Sequence, residues 1–190
     1  LKLCDLPELD DTTIVLAQAG NVCTGSVDPL KGLGTRCQEA GAWLHVDGAF
    51  GLWARLLEPL RHTYDGLELA DSWVVDAHKT LNTPYDAGIA LCRHPHEMEA
   101  SMAIGAGYLP ATHPGPSDRA PEFSRSARGA ETWAALLSLG RSGVCEMVTR
   151  FHDHAVRISE DLKTLGFEVP HSVHFNQVFA TLPGNEDACS

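Results

Sequence analysis

The sequence predicts an α/β protein: an open, mainly parallel sheet flanked by helices. Three observations carry that prediction. Short apolar runs rich in β-branched residues recur along the chain, as buried strands require. A helix-compatible stretch separates the first two runs, and a strand–helix–strand unit makes its strands parallel. The runs are continuously apolar rather than alternating, the pattern of strands covered on both faces.

Each element follows in order. Thr12-Thr13-Ile14-Val15-Leu16-Ala17 is the first strand, and Gln18 to Ser26, with Gly20, Asn21 and Gly25, is a loop. Asp28-Pro29 reads as a helix N-cap with Pro at the first helical position. A helix over Leu30 to Ala40 then stops at Gly41. Ala42-Trp43-Leu44-His45-Val46 is the second strand, and Leu52 to Leu57 forms a helical turn or two before Pro59. Ser72-Trp73-Val74-Val75 is the third strand and Gly88-Ile89-Ala90-Leu91-Cys92 the fourth. From Ser101 to Arg128 glycines and prolines crowd together and predict a long loop. Ala130 to Leu165 is helical, interrupted at Gly140 and Gly143 and ended by Gly166. Phe167 to Val169 and Val173 to Leu182 read as strands of a second, smaller α/β unit. We divide the chain accordingly at 1–128 and 129–190.

Composition narrows the function. The 190 residues carry 14 Lys and Arg against 25 Asp and Glu, a net charge of −11. Such a chain repels phosphate backbones, which argues against nucleic-acid binding. No apolar stretch approaches the roughly 18 residues of a bilayer span, and Leu1-Lys2-Leu3-Cys4-Asp5 is not a signal-like start. Cys4, Cys23, Cys37, Cys92, Cys145 and Cys189 are too widely spaced for a redox pair or a zinc site. We read them as reduced thiols and expect a cytoplasmic protein without a metal. His94/His96 flank Pro95 in a loop, and His152/His154, two apart on a helix, point to different faces.

In open parallel sheets, ligands bind at the carboxyl ends of the strands. Asp47-Gly48-Ala49-Phe50-Gly51 follows the second strand and Asp76-Ala77-His78-Lys79 the third. A lysine after a buried strand is placed to act as a Schiff-base amine, or else to pair with Asp76 or reach the surface. Asp47 is placed to hold a proton on a heteroaromatic nitrogen, or else to form a turn. Ala49 is small enough to let a flat ring lie against the strand. Together the carboxylate and the lysine are the two groups that pyridoxal phosphate chemistry requires.

His45-Val46-Asp47-Gly48-Ala49-Phe50-Gly51 and the block from Asp71 to Asp86, with Asp76-Ala77-His78-Lys79-Thr80 at its centre, resemble the signatures of the group II pyridoxal phosphate-dependent amino-acid decarboxylases. Gly20-Asn21-Val22-Cys23-Thr24-Gly25 is similar to that family's preceding loop. The resemblance implies the fold-type I, aspartate aminotransferase-like architecture, usually a homodimer, with pyridoxal 5'-phosphate as cofactor. It implies that Lys79 is the Schiff-base lysine, that Asp47 pairs with the pyridine nitrogen, that Ala49 lies near the ring and that His78 contacts the cofactor. Tyr108 falls where the decarboxylases carry a mobile-loop tyrosine that protonates the α-carbon, and Ser124-Arg125 matches a segment of the substrate pocket. Thr80 and Cys23 depart from the residues more usual in the family. Family members are more than twice this length, so the chain reads as a central fragment. The expected activity is decarboxylation of an L-amino acid to its amine and carbon dioxide. An aminotransferase or carbon–carbon lyase of the same fold, and an inactive structural piece, stand as alternatives.

Overall fold

The structure, a computed structural model, describes residues 1–102, 116–122 and 124–184. Four strands form one sheet in the order β1 (Ile14–Gln18), β2 (Trp43–Asp47), β3 (Ser72–Asp76), β4 (Gly88–Cys92). β1 pairs parallel with β2, and β2 with β3, whereas β4 runs antiparallel to β3. The carboxyl ends of β1, β2 and β3 therefore share one rim, and β4 starts on it with Gly88 opposite Asp76.

α1 (Leu30–Ala40) covers one face of the sheet. Its Leu30, Leu33 and Cys37 pack with Val15, Ala17, Leu44 and Val46 in the main core. Removing each of these leucine and valine side chains from water contributes about 1.5–3 kcal/mol. Gly41 ends the helix in the left-handed region at φ 72°, and its N–H closes onto the carbonyls of Cys37 and Gln38. Asp28 does not cap α1, which has no side-chain cap. Its carboxylate instead accepts the N–H of Gln18 at 2.7 Å and so ties the helix approach to the end of β1.

The opposite face departs from expectation. β1 alternates exposed and buried residues, and Ile14 and Leu16 are each 66% exposed. A continuously apolar strand is therefore covered on one face only. Half-buried Trp43 and His45 share that outer face with Ser72, whose hydroxyl accepts the Trp43 Nε1–H at 2.9 Å.

α2 (Pro95–Met102) occupies residues expected to be loop. Pro95 is compatible with a helix start because its missing N–H would be unpaired there. α3 (Arg128–Thr164) is broken at Gly140, where φ is 61° and ψ −179°, while Gly143 stays helical. Val144, Met147 and Val148, beyond the break, enter the core. The two strands read in 167–182 do not form. Only Glu168 and Thr181 bridge, and the segment between them is held by side chains: Phe175 is 1% exposed, and its carbonyl accepts from Nδ1 of His152 at 2.9 Å.

Candidate active site

The site is built from three turns at the shared rim. After β1, Gly20 adopts φ 110° and lies so close to Gly51 that a Cβ on Gly20 would sit 2.6 Å from the Gly51 Cα. A side chain at either glycine would push the first and second turns apart. Tyr64 secures Gly51 from below, donating its hydroxyl to the Gly51 carbonyl at 2.6 Å. Burial pushes the Tyr64 phenol well above its usual value.

The second and third turns are stitched together by three hydrogen bonds. Gly48 N–H donates to the Val74 carbonyl at 2.9 Å, and Asp76 N–H to the Ala49 carbonyl at 3.3 Å. Thr80, 4% exposed, donates its Oγ1 hydrogen to the Phe50 carbonyl at 3.0 Å. Asp47, at the end of β2, and Lys79 thus stand on segments joined by these hydrogen bonds. Asp47 is half-buried at the end of β2, and one of its oxygens accepts the Ala49 N–H at 3.0 Å. That bond holds the carboxylate and leaves its other oxygen for a cationic partner.

Lys79 Nζ lies 2.7 Å from Asp76 Oδ2 and 4.1 Å from the centre of the Phe50 ring. His78 Nδ1 lies 2.9 Å from the Ala87 carbonyl. A carbonyl only accepts, so Nδ1 carries hydrogen and Nε2 faces Asp76 Oδ2, 3.8 Å away. The His78 ring also meets Tyr85 edge-on, with centroids 4.8 Å apart. Asp76, visible in sequence only as one possible partner for the lysine, is in fact the carboxylate shared by both basic groups.

A cavity of about 550 Å³ opens beside Lys79, bounded by Phe50, Thr80, the Phe151–Ile158 stretch of α3 and Asn176. Neither α3 nor Asn176 was expected there. No local sequence signal marks them, because a long helix and a distant turn meet Lys79 only through the chain's return. Arg125 lines a separate cavity with Asp86, Gly88, Glu122 and Arg128, and Ser124 is exposed. In that second cavity Arg128 donates to Asp86 and holds its carboxyl below the usual carboxylate range. Tyr108 lies outside the described residues. Among the described residues no group of three or more His, Cys, Asp or Glu is placed to hold a metal ion. Among them, too, no helix is long and apolar enough to cross a membrane.

An open α/β sheet with a held carboxylate and a strand-end lysine on adjoining, stitched turns is the arrangement of a fold-type I pyridoxal phosphate protein. The donor set fits that group: the carboxylate suits a protonated ring nitrogen, and the amine suits an aldehyde. The chain belongs to the pyridoxal-dependent decarboxylase family, whose conserved-domain model matches residues 8–181. It is 30% identical over 186 residues to L-2,4-diaminobutyrate decarboxylase of Rhizobium meliloti (strain 1021), covering 92% of this chain and 37% of that protein. It is 32% identical over 148 residues to 4-hydroxyphenylacetaldehyde synthase of Rhodiola rosea, covering 77% and 30%. Among solved structures, Oryza sativa TDC with PLP and tryptamine superposes with a TM-score of 0.78 at 27% identity, over 87% of this chain and 35% of that one. The chain thus spans about a third of the length of these relatives.

Proposed function

We propose that the protein to which this chain belongs decarboxylates an L-amino acid to the amine and carbon dioxide, using pyridoxal 5'-phosphate. The observation that carries the reading is the stitched pair of turns presenting Asp47 and Lys79, in a chain of the decarboxylase family. When bound, the cofactor supplies an aldehyde for amine exchange and an electron-withdrawing ring. Asp47 keeps the ring nitrogen protonated, because its fixed negative charge favours the cationic form. Ala49 leaves room for the flat ring, and His78 borders it. Lys79 would hold the cofactor, because its side-chain amine suits the aldehyde. Asp76 holds the Lys79 side chain at the site, 2.7 Å from its Nζ.

Tyr108 delivers the proton to the α-carbon after carbon dioxide leaves, a task suited to a positioned phenol. Ser124 and Arg125 belong to the substrate pocket of the full-length protein. Residues 1–128 form part of the cofactor domain, and 129–190 the connecting helices and the start of a smaller domain. The full-length protein works as a homodimer in the cytoplasm on a small amino-acid substrate, with no nucleic-acid or membrane partner.

The test is carbon dioxide and amine measured separately on the full-length parent, wild type and Tyr108→Phe. Amine release slows in the variant, and transamination or oxidation by-products rise. Wild-type rates of both products in Tyr108→Phe remove the tyrosine from the mechanism. Keto acid as the main wild-type product turns the reading to an aminotransferase.

A further inference from the structure

The loop between β1 and α1 touches two distant parts of the chain, each through a glycine. At its start Gly20 abuts Gly51, and Ala19 N–H donates to the Asp47 carbonyl at 2.7 Å. At its far side Gly25 is buried at φ 72° and faces Gln177. A Cβ on Gly25 would lie 2.8 Å from Gln177 Oε1 and 3.4 Å from the Phe175 backbone nitrogen. Neither glycine admits a side chain without a shift, so each marks a close approach of two segments. One contact belongs to the turn after Asp47, and the other to a residue 130 positions beyond Asp47.

Between the two contacts the loop is tied into one piece. The Gly20 and Asn21 N–H groups both donate to the Ser26 carbonyl, at 3.2 and 2.8 Å, and Gly25 N–H donates to the Asn21 carbonyl at 2.7 Å. Asn21 Oδ1 accepts the N–H groups of Cys23 and Thr24 at 3.0 and 3.1 Å. A backbone N–H only donates, so these bonds fix the amide, and Asn21 Nδ2 donates to Gln18 Oε1 at 2.9 Å. Ala19 and Val27 bridge across the base of the loop. A loop tied in this way passes a displacement at Gly25 on to Gly20.

Gln177 is held in turn from behind. Its Oε1 accepts the Asn176 N–H at 3.3 Å. Phe175 is fixed by burial and by His152 of α3. Gln177 Nε2 is buried without a hydrogen-bond partner among the described residues, a costly state for a donor. Packing against the loop, rather than full polar pairing, therefore accounts for its place.

We infer that Gln177 is a positioning residue for the cofactor site. It acts through Gly25 and the loop braced by Asn21, and it sets where Gly51 and Asp47 stand. The inference rests on the reading of Asp47 as the partner of the cofactor's ring nitrogen. It makes cofactor affinity depend on how residues 174–177, anchored to α3 by His152, seat on the loop.

The test is a double-mutant cycle of Gln177→Ala and Asn21→Ala, read as pyridoxal phosphate affinity of the full-length apoprotein by fluorescence titration. Hydrogen exchange of the same proteins is a readout independent of activity. Gln177→Ala alone raises the dissociation constant about 5- to 10-fold. Once Asn21→Ala has loosened the loop, it raises it by less than about 2-fold more. Asn21→Asp keeps the acceptor for the Cys23 and Thr24 N–H groups, and in that background the full effect of Gln177→Ala returns. In Gln177→Ala, exchange rises in peptides spanning 18–28 and 44–51, while α1 keeps its wild-type protection and reports an intact fold. If the alanine variant does not fold, Gln177→Ser is read in the same way. An unchanged dissociation constant in a folded Gln177 variant, additive effects in the double variant, or an equal rise of exchange in α1 overturns the inference and leaves the decarboxylase reading standing. Failure of the wild-type parent to bind pyridoxal phosphate overturns both.

Discussion

Thr80 donates its hydroxyl hydrogen to the carbonyl of Phe50 at 3.0 Å, across 30 residues of sequence. The bond joins the turn that carries Lys79 to the turn that follows Asp47. Thr80→Val keeps the shape but leaves the Phe50 carbonyl unpaired, at a cost of about 1–3 kcal/mol. We expect weaker cofactor binding and a lower melting temperature in the full-length parent, with Thr80→Ser near wild type on both measures. Fluorescence titration with pyridoxal phosphate and a thermal melt check this. Equal affinity in the valine and serine variants would show that the bond does not position the site.

Lys79 is proposed as the attachment point for the cofactor. Borohydride reduction of the full-length holoenzyme yields a covalent adduct on the peptide containing Lys79, and Lys79→Ala abolishes it. Mass spectrometry of the digested protein reads the outcome directly. An adduct surviving on that same peptide would refute the assignment.

In the proposed mechanism Asp47 contributes through charge. Its carboxylate is already oriented by the Ala49 N–H, which would limit the reorganisation needed to pair with a cation. Asp47→Ala weakens cofactor binding and lowers turnover by on the order of 10²–10³, and Asp47→Glu retains more activity than Asp47→Ala. Unchanged turnover in the alanine variant would mean that another residue holds the ring.

Tyr64 makes stability depend on alkaline pH. Its phenol is buried, and its folded-state value is raised above the usual 10.0. Above that pH the unfolded chain releases the proton while the folded chain keeps it. Fewer protons are then bound unfolded than folded, so stability falls as pH rises. The contribution is fully present below pH 10 and is lost as the pH climbs toward the raised value. Tyr64→Phe removes this alkaline loss and costs about 1 kcal/mol at neutral pH through the Gly51 carbonyl bond. Denaturant melts at several pH values from 8 to 11 distinguish the two proteins; parallel curves would deny Tyr64 the role.

Leu16 tests the uncovered sheet face. With Ile14 it exposes a large apolar area, which favours self-association. Leu16→Lys in the 190-residue chain raises solubility and reduces light scattering. In the full-length parent the same substitution lowers stability if further chain covers this face. Identical scattering of the variant and the wild-type fragment would show that association occurs elsewhere.

The sequence alone determined the four strands of the sheet, α1 and the rim where chemistry gathers, because strand and helix periodicity are local and the ends of β1, β2 and β3 are each marked by a carboxylate or glycine turn. Asp47 and Lys79 stood out for the same reason: each lies just beyond an apolar run, Asp47 directly after Val46 and Lys79 four residues after Val75, in blocks that resemble those of a known family. The sequence could not decide which strand faces stay open, since Ile14 and Leu16 look the same whether or not another element covers them. Nor did it foresee that β4 runs antiparallel, that α2 forms beyond Pro95, or that 167–182 is held by Phe175 and His152 rather than by strand pairing. Tertiary structure alone decided that Asp76 takes the Lys79 amine and that Asn176 comes to the same cavity. Asn176 lies 97 residues beyond Lys79 in the chain. Their meeting depends on the break at Gly140 and on the packing of α3, long-range events to which no local pattern of residues corresponds.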